Sequence, residues 1–204
     1  MSNTKKHPII PPQQEGKASD TDAKTTFDTT AKAKDFYEVA KQRLLHVNNW
    51  QKWAGAATAS FQLTDAQGKD VDRTVQEGDY FKIDIPGPGP VTGDGYDWVH
   101  VETITESSSG DTEQVAIQVR PASNPNNERR DVAHFFSDAA SSSFIVKREG
   151  TTVTAAVHGR NEKPNTKTET LVDKARNAAV ATGAVAAFSK LQWKSLVSGL
   201  VKQE

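Results

Sequence analysis

The sequence predicts an α+β fold: an antiparallel sheet of about seven strands, curled into a partial barrel, packed against an N-terminal helix and a long C-terminal helix. Apolar and polar residues alternate with a period of two through residues 56–160, which is typical of strands covered on one side only. Apolar residues at helical spacing precede and follow this region. The chain lacks a strand–helix–strand rhythm, which argues against a doubly wound nucleotide-binding fold.

Length and composition fit one domain. The chain has 204 residues, of which 35% are hydrophobic and 25% are charged. This is enough for a single core and too little for two large domains. We expect residues 31–204 to form the domain and residues 1–30 to be a disordered tail, because only Ile9, Ile10 and Phe27 are large and apolar there. The PIIPP motif in this tail is weak support for a partner-docking segment.

The first helix is predicted over residues 31–54. Its apolar residues recur at i, i+3 and i+4 spacing: Phe36, Val39, Ala40, Leu44, Val47, Trp50 and Trp53. Gly55 is a typical C-terminal stop signal. Trp50 and Trp53 lie one turn apart on this stripe, so we expect both to pack onto the sheet.

The strands follow between residues 56 and 160. Their inward-facing residues are predicted to be Ala59, Phe61, Leu63, Val71, Val75, Phe81, Ile83, Ile85, Val115, Ile117, Val119, Phe144, Val146, Val153, Ala155 and Val157. Gln118 and Arg120 fall on the opposite, polar face of their strand. A short helix is predicted at residues 131–140, where Val132, Phe135, Phe136 and Ala139 share one helical face behind a possible Asp131 N-cap.

The last element is a helix over residues 167–202, either continuous or broken at Gly183. Between residues 174 and 203 it carries lysines and an arginine but no acidic residue, and its second half is apolar on most sides. Such a helix must be buried in its own domain, in a partner or at a membrane surface. The candidate interaction residues are Phe188, Leu191, Trp193, Leu196 and Leu200. Anchoring of residues 184–202 to a membrane surface is the alternative.

Several function classes are disfavoured by composition. The absence of cysteine excludes disulfides, thiolate nucleophiles and cysteine-based zinc sites. Acidic side chains greatly outnumber basic ones between residues 60 and 115, which argues against nucleic-acid binding there. Neither a secretory signal nor an apolar stretch long enough to span a bilayer is visible, so we expect a soluble, cytoplasmic protein.

The segment 83–102, IDIPGPGPVTGDGYDWVHVE, is the first candidate site. Its prolines fix the backbone and its glycines allow conformations closed to other residues, which suits either a plain hairpin or a binding loop. The candidate ligand-binding residues are Asp94, Tyr96, Asp97, Trp98, His100 and Glu102. Neither an EF-hand pattern nor a phosphate-loop spacing is present, so we expect no bound metal and no cofactor.

A histidine–carboxylate cluster is the second candidate. His100 and Glu102 share one face of a strand, and His158 ends the last strand, so the three residues could serve a metal-dependent hydrolase. His134 is expected to point away from the core on its short helix. No zinc-protease spacing and no serine-nucleophile elbow occurs. We therefore predict a non-catalytic binding or assembly module that acts through the 83–102 loop and the C-terminal helix, by contact with a partner protein or by self-association.

Overall fold

The computed structural model describes residues 9–55, 59–85, 89–128, 130–165 and 185–203, with side chains in the last segment described from Lys190 onward. The strands are β1 (Lys17–Thr26), β2 (Ser60–Thr64), β3 (Tyr80–Asp84), β4 (Asp97–Ser109), β5 (Thr112–Pro121), β6 (Ser141–Glu149) and β7 (Thr152–Glu162). The helices are α1 (Thr30–Leu45), α2 (Trp50–Ala54) and α3 (Val185–Leu200), with 3-10 turns at Val47–Asn49 and Val91–Gly93.

One antiparallel sheet contains all seven of these strands, in the order β1-β7-β6-β5-β4-β3-β2. The predicted α+β class and the seven-stranded antiparallel sheet are therefore confirmed. The sheet stays open, because β1 and β2 lie at its two edges and do not pair with each other. The long hairpins β4–β5 and β6–β7 form its centre.

The prediction of a disordered tail is wrong for residues 17–26. These residues form β1, which pairs with β7 from Lys17↔Glu162 to Thr26↔Thr152. An edge strand is held by backbone hydrogen bonds and needs few apolar side chains, so apolar periodicity does not reveal it. Residues 71–75, which we predicted to be a strand, are irregular, with one isolated bridge between Thr64 and Asp70 nearby.

The short helix predicted at residues 131–140 is also wrong. This segment is irregular, because most of its described backbone hydrogen bonds go to other parts of the chain. Ala133 accepts a hydrogen bond from the Trp98 amide (2.8 Å) and donates one to Ala122 (2.9 Å). The His134 imidazole, predicted to face outward, is buried and stacks on the Phe135 ring at 4.2 Å.

Trp50 lies at the centre of the core between the helices and the sheet. Its fully buried ring lies 4.7–5.6 Å from the rings of Phe61, Phe81 and Phe144, and its Nε1 donates to the Leu44 carbonyl. This confirms that Trp50 packs onto the sheet. The predicted single helix is interrupted at His46, and Val39 of the predicted stripe is exposed while Tyr37 is buried.

The described end of the C-terminal helix belongs to the same core. Leu196, Val197, Leu200 and Val201 are all buried, and the Trp193 ring packs against Phe61 and Phe144. Leu196 and Leu200 are therefore not available as interaction residues, and these apolar residues near the end of the helix face the core rather than a membrane surface. Leu191 is 69% exposed. The Phe188 side chain and residues 167–184 lie outside the described part.

Among the described residues, no helix is both long enough and apolar enough to cross a bilayer.

Arg43 joins the three helices. This buried side chain of α1 donates through Nη1 to the carbonyls of Gly199 (3.2 Å), Leu200 (3.3 Å) and Lys202 (2.7 Å) at the end of α3. Its guanidinium also lies 4.4 Å from the Trp53 ring centroid. The last carbonyls of a helix lack partners within the helix and carry partial negative charge. Arg43 satisfies them with a positive charge.

Replacing Arg43 by methionine should lower the free energy of unfolding by roughly 3 kcal/mol, since hydrogen bonds to a charged group contribute about 1.5–3 kcal/mol each and the α3 carbonyls would stay buried without a partner. Urea denaturation followed by tryptophan fluorescence measures this loss. The matched control is Lys34→Met on the exposed side of α1, which should change stability by less than about 0.5 kcal/mol. Equal urea midpoints for the two variants would show that Arg43 does not stabilise the packing of α3.

Candidate functional site

The sheet face opposite the three helices, here called the outer face, is crossed by residues 9–16, here called the strap. Ser143 points to this face and donates its hydroxyl to the Ile9 carbonyl. Glu15 forms an ion pair with Lys163. The PIIPP motif gave only weak support for a partner-docking segment, and its described residues, 9–12, belong to this strap.

Asn161 is the main anchor of the strap. Its Oδ1 accepts from the backbone amides of Gln14 (2.7 Å) and Glu15 (3.1 Å). The Asn161 backbone N–H donates to the Gln13 side-chain oxygen (2.9 Å). The backbone of Asn161 has a φ of 57°, a left-handed conformation that asparagine adopts more readily than most residues. Gly16 ends the strap with a φ of 68°, and a Cβ there would lie 2.6 Å from the Glu162 carbonyl oxygen.

A groove of about 360 Å³ lies between the strap and strands β4 and β5. Pro11, Pro12 and Gln14 of the strap line one side of it. Thr103, Gln118 and Arg120 of the two strands line the other. The remaining lining residues are Glu15, Glu102, Ala139 and Asn161. We call this the outer-face groove. It is the site that the geometry favours, because a strand pair and a crossing segment enclose polar side chains there.

Two polar side chains of β5 lack partners in the groove. Gln118 is only 5% exposed, and Arg120 is half-buried two residues further along the same face. Within the described ranges, neither side chain forms a hydrogen bond or an ion pair. The Gln118 amide is not among the fully buried side-chain atoms that lack a partner, so its polar atoms keep part of the small exposure that this residue has. Such a group indicates a position where a ligand or an ordered water makes the missing bonds.

His100 and Glu102 lie beside the groove and interact with each other. The His100 Nδ1 is 2.7 Å from a Glu102 carboxylate oxygen, which confirms that the two residues share a face. A β-bulge between Val101 and Thr103 shifts the register at this point. His100 is the direct cross-strand neighbour of Arg120.

His158 is not part of this pair. It hydrogen-bonds Asp20 of β1 at 2.6 Å, and its strand β7 is separated from β4 by β5 and β6. Three strand spacings correspond to about 14 Å, too far for shared metal ligation. The alternative in which His100, Glu102 and His158 together hold a metal is therefore wrong. In the described part of the chain, no group of three or more histidine, aspartate or glutamate residues is placed to hold a metal.

Three other candidate residues of the 83–102 segment, Asp94, Asp97 and Trp98, hydrogen-bond within the chain. Asp97 is buried and accepts from the Phe135 amide at 3.1 Å, while the buried Trp98 donates its Nε1 to the Gly93 carbonyl at 3.1 Å. Asp94 accepts from the Asn124 side chain. Tyr96 is exposed, with the Lys82 ammonium 5.3 Å from its ring centroid. Of the six candidate ligand-binding residues, only Glu102 lines the groove.

Sequence reasoning missed Gln118, Arg120 and Asn161. The alternation of β5 places the first two on the outer face, but nothing in the sequence shows that residues 9–16 cross that face. Asn161 carries no sequence signal beyond its type, because its left-handed backbone and its partners 146–149 residues away arise only on folding.

Two carboxylates at the strap end of the sheet are perturbed in opposite directions. The hydrogen bond from His158 lowers the pKa of Asp20, with help from Arg160. Burial raises the pKa of Glu162, and the Ser19 hydroxyl, which donates to it at 2.8 Å, only partly offsets this effect. Glu162 follows Asn161 in the chain, and its backbone carbonyl lies close to Gly16 at the end of the strap.

No protein-family model matches the sequence, and no curated protein matches it. Among solved structures, the chain is similar to the hypothetical protein jhp0584 from Helicobacter pylori, with 11% identity, a TM-score of 0.54, and 98% of this chain and 97% of that one covered. This likeness shows the fold, an α+β arrangement of the helix-grip kind.

Two further structural similarities are weaker. An uncharacterised protein from Bacillus thuringiensis has 12% identity and a TM-score of 0.40, with 91% of this chain and all of that chain covered. Major latex-like protein 151 from Panax ginseng has 13% identity and a TM-score of 0.34, with 84% and 97% covered. None of these similarities establishes a specific function.

Replacing Glu162 by glutamine should raise the melting temperature at pH 7. Because the pKa of Glu162 is raised in the folded state, the unfolded chain loses the proton first as the pH rises, so stability falls above about pH 4.3, the usual pKa of a glutamate. The advantage of the variant should therefore shrink as the pH is lowered towards 4. Thermal unfolding followed by circular dichroism between pH 4 and pH 8 measures this.

The control for this series is Glu128→Gln, an exposed carboxylate on the loop after β5, which should leave the melting temperature nearly unchanged. If Glu162→Gln instead lowered the melting temperature at pH 7, or showed the same difference at every pH, burial would not govern the ionisation of Glu162.

Proposed function

We propose that the chain is a non-catalytic binding protein whose ligand site is the outer-face groove. The observation that carries this proposal is Gln118, a side chain 95% removed from solvent that lines the groove and has no partner in the described part of the chain. An amide that lines an enclosed groove, keeps its polar atoms accessible and has no partner within the described chain is placed to form hydrogen bonds with a ligand.

Binding is favoured over catalysis by the arrangement around His100. Its Nδ1 contacts Glu102, but no hydroxyl group in the described ranges is hydrogen-bonded to the imidazole. A serine or threonine nucleophile needs such a base within reach. The Thr103 hydroxyl lines the groove without a contact of this kind. We therefore assign the His100–Glu102 pair to the polar edge of the groove and give it no catalytic role.

Fewer residues of α3 are exposed for the predicted assembly than the sequence suggested. Leu196 and Leu200 are buried, so of the candidate interaction residues with described side chains Leu191 is the exposed one. The groove offers a more specific arrangement, because it combines shape, an unpartnered amide and a positive charge. For this reason we place the binding site in the groove rather than in the 83–102 loop and the helix.

The proposal is tested by nuclear magnetic resonance titration of ¹⁵N-labelled protein with a fragment set that contains small acids, amines, amides and sugars. We expect at least one class to give saturable shifts at the amides of Thr103, Gln118 and Arg120, and little change along α3. Thr103→Tyr, which fills the groove, should weaken this binding about tenfold or more, since a side chain would occupy the ligand volume.

The matched control is Thr154→Tyr, the same substitution on the same face of β7 but outside the groove lining. It should bind as the wild type does. Circular dichroism confirms that both variants are folded. Absence of any saturable shift in the groove, or equal binding by Thr103→Tyr and the wild type, would refute the proposed function.

A further inference from the structure

Arg120 is a cation without a counter-ion in the outer-face groove. The other half-buried or buried arginines of the described chain each have partners: Arg43 with the end of α3, Arg73 with Asp79, Arg148 with Glu113, and Arg160 with Asp20. Arg120 has none, although its guanidinium is charged at every physiological pH. Arg120 therefore presents to the groove a positive charge that no ion pair within the described chain engages.

The two acidic residues that line the groove are already engaged. Glu102 is held by His100 at 2.7 Å, and Glu15 is paired with Lys163. Neither forms an ion pair with Arg120, so the arginine is left for a group from outside the chain. A guanidinium presents parallel N–H donors that match the two oxygens of a carboxylate.

Gln118 supplies a second contact beside Arg120. The two side chains lie on the same face of β5, two residues and about 6.6 Å apart along the strand. An oxyanion seated on Arg120 therefore brings the adjoining atoms of the same molecule next to the Gln118 amide, which can donate or accept a hydrogen bond.

The size and charge of the groove restrict the anion. A volume of about 360 Å³ is near the lower end for ligand pockets, so the ligand is small. Pro11 and Pro12 give one wall an apolar surface suited to a short hydrocarbon or ring. Glu102 and Glu15 place negative charge at the edges, which disfavours a dianion such as phosphate.

We infer that the outer-face groove binds a small organic monocarboxylate, with the carboxylate on Arg120, a hydrogen bond to Gln118 and the apolar part against Pro11 and Pro12. This inference rests on the proposed function, since it names the ligand class of the same site. The strap is part of the site in this arrangement, because it provides the apolar wall.

The test compares acids with their uncharged amides. Butyrate and benzoate, butyramide and benzamide, and inorganic phosphate are each titrated into ¹⁵N-labelled wild-type protein at constant ionic strength. The readouts are the Gln118 side-chain amide and the Arg120 Nε–H resonances. We expect saturable shifts with the two acids, binding at least tenfold weaker with the amides, and weaker binding with phosphate than with either acid.

Variants assign the charge contact to Arg120. Arg120→Gln should weaken carboxylate binding about tenfold to a hundredfold, because a charge-assisted hydrogen bond is lost, and Arg120→Lys should recover part of the affinity. Lys147→Gln removes a positive charge from the same face of β6 outside the groove and should bind as the wild type does. Melting temperatures confirm that all three variants are folded.

The outcomes separate the inference from the function on which it rests. Amides that bind as tightly as acids, phosphate that binds more tightly, or an Arg120→Gln variant with unchanged affinity would overturn the monocarboxylate assignment while leaving a binding groove in place. No saturable binding by any acid or amide probe, together with no shift from the wider fragment set, would overturn both.

Discussion

The contact between Arg43 and the last carbonyls of α3 holds the architecture together. Through it, the C-terminal end of the chain closes over a core that the first helix and the sheet leave open on one side. Gly199 allows this approach, because a Cβ at that position would lie 2.1 Å from the Trp53 carbonyl oxygen. Trp50 and Trp193 are then enclosed between the helices and the sheet. The buried apolar residues near the end of α3 become part of the core.

The helices cover one face of the sheet, and the proposed binding site lies on the opposite, outer face. On the outer face, polar side chains are free to face a ligand because the core does not need them. The strap turns part of that face into a groove, and Asn161 fixes the strap by bonding three successive residues of it through its side chain and backbone. Packing and recognition are thus divided between the two faces of one sheet.

The elements with strong periodicity were predictable, and those held by long-range backbone contacts were not. Alternation identified the strands around Phe81, Ile117 and Phe144, and helical spacing identified α1. The same rule misread residues 131–140, where helical spacing coincides with backbone bonds to Trp98 and Ala122. For the site, alternation placed Gln118 and Arg120 on the polar face, but their enclosure depends on a segment more than a hundred residues earlier in the chain.

Strand β1 has a further consequence for how copies of the protein behave together. It occupies one edge of the sheet with the sequence KASDTDAKTT, in which lysines and aspartates interrupt every short run of small residues. An edge strand exposes unpaired backbone groups that can recruit a strand from another molecule, and charged side chains along it oppose such pairing. The other edge, β2, is only five residues long. Both margins of the sheet therefore resist intermolecular β-pairing, which favours a protein that stays dispersed when it is concentrated.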